Sequence, residues 1–226
     1  MEKNNSFFDK FFSSIPGYIF GILTFIIGFL GDIIAIILSP DYVMWEKSIS
    51  ILANHHPGGI YLRIGLIISN IIAIPFIIYI GRALKDENVN ENLRKLTIGC
   101  GIFTSIVAIL TGSVAGKYVL LKNLHGLFAL LSWIGGTVVC LLFGLLMLRN
   151  TKFTKSITIT NFLVALIFGT YLIPFFITNF CNYYPEICYS FGRQIYTIMP
   201  IFEWIVMFSI IFLYLFNSIY LFYKKI

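Results

Sequence analysis

Residues 16–39 read PGYIFGILTFIIGFLGDIIAIILS, and Asp32 is the single charged residue among them. A helix needs roughly 20 apolar residues to cross a hydrocarbon core, and it satisfies its own backbone polar groups where no water can. The stretch therefore predicts a transmembrane helix with one carboxylate at depth. It is too long for a signal-peptide core, and no small-x-small cleavage site follows it, so it is read as a retained span.

Five more stretches have the same character, at about 60–82, 96–117, 124–148, 157–178 and 200–222. Links such as KDENVNENLRK and NTKFTK are too short to hold a soluble domain. Hydrophobic residues make up 58% of the chain and charged residues 12%, with a mean hydropathy of +0.89. Soluble domains carry about 25% charged residues. The expected fold is all-α, a polytopic membrane bundle with six transmembrane helices and one membrane-embedded domain over residues 1–226. Ahead of the first span, Phe7, Phe8, Phe11 and Phe12 share one helical face, which suits an interfacial anchor or a sticky tail.

Lysine and arginine bias sets orientation. Most of the 16 basic residues fall at the N-terminus (Lys3, Lys10), the second link (Arg82, Lys85, Arg94, Lys95), the fourth link (Arg149, Lys152, Lys155) and the C-terminus (Lys224, Lys225). Lys47, Arg63, Lys117, Lys122 and Arg193 fall on the other side. Both termini are thus expected in the cytoplasm. The net charge of +6 then reflects attraction to anionic inner-leaflet lipid and not a nucleic-acid footprint.

Cys181 and Cys188 share the last external link, NFCNYYPEICYSFGR, where an oxidising compartment would permit a disulfide. Cys100 and Cys140 read as small packing residues within spans. Gly17, Gly21 and Gly28 in the first span, and Gly112 with Gly116 in the third, read as close-packing faces.

The ionisable residues within the spans concentrate toward one side. Asp32 lies roughly 10 Å below the external surface at about 1.5 Å per residue. Arg63 is near the start of span two, His125 opens span four, and Glu203 is near the start of span six. Charges at such depth face the bundle interior and pair, or neutralise by protonation. Arg63 could counter Asp32 and Glu203. The inner half carries mainly amides (Asn161, Asn217, with Asn70 near mid-depth), so no charged path crosses the membrane as a channel or proton-coupled carrier requires.

The segment SPDYVMWEKSISILANHHPGG, residues 39–59, feeds this polar zone. Tyr42 and Trp45 suit the headgroup level. Adjacent His55 and His56 point in different directions on any regular element, so only one is expected to face inward. A zinc site using His55, His56 or His125 with Asp32 or Glu203 is arithmetically possible, but no motif specifies it. Ser48 and Ser50 are candidate nucleophiles by proximity to the histidines, without a nucleophile elbow.

The run Y-x-x-x-x-KSISILA after span one, the glycine-rich start of span two and LHGLFALLSWIGG opening span four resemble the domain-of-unknown-function family 998. That family is similar to the wider Frag, Dram and Sfk six-helix membrane proteins. The resemblance implies six spans and cytoplasmic ends, and it matches Ser48, Ile49, Ser50, His125, Gly126 and Glu203. It implies no secure catalytic role; the wider relatives are linked to lipid asymmetry, autophagy and remodelling of lipid anchors.

Three functional expectations follow. The leading one is a membrane protein that binds or organises lipid through an outer-leaflet polar pocket, with Arg63, His55, His56, Trp45 and Lys122 contacting the headgroup. The second is an intramembrane lipid hydrolase or acyltransferase at the same place, drawing on His125, Asp32, Glu203, Ser48 and Ser50, with or without zinc. The third is a structural or partner-binding subunit.

Overall fold

A computed structural model describes residues 7–114 and 118–225; Lys3, Gly116, Lys117 and the side chain of Phe7 lie outside the described residues. Helix α1 (Phe7–Ser14) is followed by α2 (Tyr18–Ile37), the short α3 (Ile49–His55), α4 (Gly59–Ala83), α5 (Glu91–Ser113), α6 (Val119–Arg149), α7 (Lys155–Tyr183) and α8 (Pro185–Lys224). Helices α2 and α4 to α8 are each long and apolar enough to cross a membrane, which makes this an all-helical six-span bundle.

The packing order closes on itself. Each span packs against the next in chain order, and α8 returns to α2. One end of this ring carries α3, which rests on α4 and α8. The opposite end carries α1, the end of α8 and the described ion pairs, Asp9–Arg82, Glu91–Arg94 and Glu91–Lys95. Phe11 and Phe12 of α1 fold back onto Phe20 and Tyr79, so this prelude packs against the bundle end.

Glycine decides how closely α2 and α4 approach. A Cβ built on Gly31 would lie 2.8 Å from the Gly65 Cα, and one on Gly65 would lie 2.8 Å from the Gly31 Cα. Helices in lipid gain little from hydrophobic burial against each other, so van der Waals contact between close backbones carries the association. Gly17 and Gly21 are also tight, but against side chains, the Tyr79 ring and the Ser218 hydroxyl, while Gly28 has ordinary contacts.

The last link departs from expectation. NFCNYYPEICYSFGR is helical on both sides of a tight corner, with α7 continuing to Tyr183 and α8 starting at Pro185. Proline is pre-organised for the first position of a helix, and the corner is braced by a disulfide between Cys181 and Cys188. The chain departs from helical geometry at Cys188.

Gly65→Leu should push α2 and α4 apart at a cost of roughly 1–3 kcal/mol or more, and thermal unfolding in detergent should show a lower Tm. Gly99 has nothing within 4 Å of its would-be Cβ. Gly99→Ala should leave Tm unchanged or raise it, since alanine gains up to about 1 kcal/mol over glycine in a helix.

Candidate functional site

Local chemistry builds α3 first. Ser48 is its N-cap, with an extended backbone and a hydroxyl that accepts from the Ile51 N–H at 3.3 Å. The leading N–H groups of any helix lack intrahelical acceptors. Here Glu203 of α8 accepts the Ile49 N–H through Oε2 at 2.7 Å. Its other oxygen, Oε1, accepts the Tyr171 hydroxyl of α7 at 3.0 Å. One carboxylate thereby ties α3, α7 and α8 together.

The rest of the 39–59 segment is pinned just as specifically. Tyr42 donates to the Lys47 carbonyl at 2.8 Å and accepts from the Trp204 indole N–H at 2.9 Å. Burial pushes the Tyr42 phenol up to about 12 despite the Trp204 hydrogen bond, so it stays a neutral donor at physiological pH. The Gly58 N–H donates to Ser39 Oγ at 3.1 Å. A Cβ on Gly58 would collide with the Ala35 carbonyl, and one on Gly59 with the Leu52 carbonyl, which is why the turn reads Pro-Gly-Gly.

Beneath α3 lies a cavity of about 290 Å³, lined by side chains from all six spans and from α3. Asp32, Arg63, His125 and Glu203 all contribute to its wall. Much of the remaining lining is apolar, including Leu66, Ile77, Val139, Phe168, Phe175 and Ile210. Four ionisable residues distant in sequence are therefore brought to one space.

Each of the four is held differently. His125 Nδ1 lies 3.0 Å from the Thr111 carbonyl and 3.1 Å from the Val114 carbonyl, closing the C-terminus of α5. A carbonyl can only accept, so Nδ1 carries the proton, and in the neutral ring Nε2 keeps its lone pair. Asp32 is 2% exposed, yet its Oδ2 has no hydrogen-bond partner in the protein. Arg63 Nε is buried and likewise unpartnered. Among the described residues these are the two buried side-chain polar atoms left without partners, and both belong to this cavity's wall.

The pairing expected from the sequence is not made. No guanidinium nitrogen of Arg63 comes within 4.0 Å of a carboxylate oxygen of Asp32 or Glu203. Gly65 abuts α2, whereas Arg63, two residues earlier, lies about 200° away around α4 at about 100° per residue, with its carbonyl toward Gly112 of α5. Glu203 is satisfied by Ile49 and Tyr171 instead of by a basic group.

The other candidates separate. Ser50 lines the cavity; its hydroxyl meets that of Ser48 at 2.9 Å, and no histidine hydrogen-bonds to either serine. His55, His56, Trp45 and Lys122 lie outside the lining. His55 is exposed at the end of α3, His56 packs edge-on against Tyr42 with centroids 5.4 Å apart, and Trp45 is 61% exposed. No group of three His, Cys, Asp or Glu among the described residues could hold a metal, so the residues present do not fit a zinc ion. Sequence reasoning misses Tyr171: its hydroxyl is one of several in α7, beside Thr158, Thr160, Thr170 and Thr178, and no spacing singles it out, although buried tyrosines seek a polar partner.

These features define a class, a six-span membrane bundle with a largely apolar internal cavity whose wall carries four ionisable residues, Asp32, Arg63, His125 and Glu203. The chain belongs to the family described as protein of unknown function (DUF998), whose model matches residues 22–211. The match begins in α2 and runs through Glu203, taking in all four ionisable cavity residues. No curated protein and no solved structure matches the chain.

Glu203→Ala should leave the Ile49 N–H without its acceptor and loosen α3. A hydrogen bond to a charged group contributes about 1.5–3 kcal/mol, so amide exchange across residues 49–55 should speed up about 10- to 100-fold. Glu203→Gln retains an acceptor oxygen and should show a smaller change.

Proposed function

We propose that this protein binds membrane lipid, taking a polar headgroup at the α3 end of the cavity and apolar chain below it. The observation that carries the reading is the pair of buried polar atoms without partners, Asp32 Oδ2 and the Nε of the half-buried Arg63, both in the wall of a largely apolar cavity. A buried charge is stable only when it is paired, hydrogen-bonded or neutralised. A ligand that supplies those partners gains what the protein leaves unmade.

The basic-residue bias supports cytoplasmic termini, which turns α3 and the headgroup end toward the extracytoplasmic leaflet. Binding is favoured over hydrolysis because Ser48 and Ser50 bond to each other and not to a base. It is favoured over a purely structural role because a cluster built only for packing would close on itself, and Asp32 and Arg63 do not.

Native mass spectrometry of protein extracted from membranes should show retained phospholipid, and Arg63→Ala should reduce retention about tenfold or more. Absence of lipid from the native protein, with unchanged binding in Arg63→Ala, would refute the reading. Orientation has its own readout. In a background lacking Cys100 and Cys140, His55→Cys should react with a membrane-impermeant maleimide on intact cells, and Lys85→Cys only after permeabilisation.

A further inference from the structure

The lipid reading leaves the headgroup undefined, and the inference here rests on that reading. The two unpartnered groups carry opposite formal charge. Asp32 offers a carboxylate oxygen and Arg63 a guanidinium N–H, from adjacent helices and into the same cavity, without contacting each other. An anionic headgroup would satisfy Arg63 while adding negative charge near Asp32. A cationic ligand would do the reverse. A net-neutral head carrying both charges satisfies the two together.

We propose that the cavity selects a zwitterionic phospholipid whose ammonium donates to Asp32 and whose phosphate accepts from Arg63. Guanidinium and phosphate form strong charge-assisted hydrogen bonds. The demand at Asp32 Oδ2 is for an N–H donor. A primary ammonium has three and a trimethylammonium has none, so an ethanolamine head is preferred over a choline head.

The neighbouring ionisable groups fit this division. Glu203 is already engaged by Ile49 and Tyr171 and adds no open acceptor of comparable strength. The Nδ1 of His125 is committed to backbone carbonyls, leaving the other ring nitrogen for the ligand. Ser50 and Thr111 supply neutral hydroxyls to the wall. The indole of Trp133, against the Tyr171 ring at 4.9 Å between centroids, also lines the cavity and gives an optical probe of occupancy.

The test uses the delipidated full-length chain in detergent. It is titrated separately with phosphatidylethanolamine, phosphatidylcholine, phosphatidylglycerol and free phosphoethanolamine, with native mass spectrometry and tryptophan fluorescence as readouts. The proposal expects phosphatidylethanolamine to bind at least about tenfold more tightly than the other two lipids, and free phosphoethanolamine more weakly still. Asp32→Asn, checked for an unchanged thermal transition, should erase the preference over phosphatidylglycerol.

Equal affinity for the three lipids in the native protein would overturn the headgroup assignment and leave lipid binding standing; that arm needs no variant to fold. Preference retained in folded Asp32→Asn would overturn it as well. Binding of free phosphoethanolamine as tight as that of the lipid would uphold the paired-charge chemistry and refute a lipid as its source. No binding of any lipid would refute the underlying reading and the headgroup assignment with it.

Discussion

At Gly31 and Gly65 two helix backbones meet with no side chain between them, and the positions of the cavity's charges follow from that contact. Asp32 is the next residue along α2, and Arg63 is two residues back along α4. Seating these helices on each other fixes the depth of both charges and the directions in which they leave the contact. It brings them to the same cavity while holding them out of ion-pairing range. A side chain at either glycine would open the crossing and change that spacing.

Around this crossing the six spans close into a ring, so their inward faces share one space. α3 is held across part of its α3-end wall by Glu203, whose two oxygens divide between α3 and α7. His125 serves the same end differently, stitching the start of α6 to the end of α5. Two of the four ionisable residues are therefore committed to the frame, and the other two are left open. That division of labour separates a ligand-binding reading from one in which all the polar groups serve packing.

The six spans were legible in the sequence because length and hydropathy alone decide whether a helix can cross a membrane. That Asp32, Arg63, His125 and Glu203 would gather in one space was expected from their shared end of the spans, and all four line the cavity. Rotation about the helix axis was not legible, and it governs who meets whom. Arg63 and Asp32 matched in depth and charge, yet the glycine contact turns Arg63 toward α5. Glu203 found the Ile49 backbone, a partner with no side-chain signature. His55 and His56 are adjacent in the sequence, but the end of α3 at His55 leaves one exposed and the other against Tyr42. The last link falls between the expected spans 157–178 and 200–222, whereas α7 continues to Tyr183 and Pro185 starts α8.

On the proposed function, a ligand's polar end completes Asp32 Oδ2 and Arg63 Nε. The most direct measurement is an experimental structure of the full chain in a bilayer containing phosphatidylethanolamine. Headgroup density is expected between Asp32 and Arg63, with acyl chain following the apolar wall toward Phe168 and Ile210. A cavity closed by a direct Asp32–Arg63 ion pair, with lipid confined to the bundle's outer surface, would contradict it.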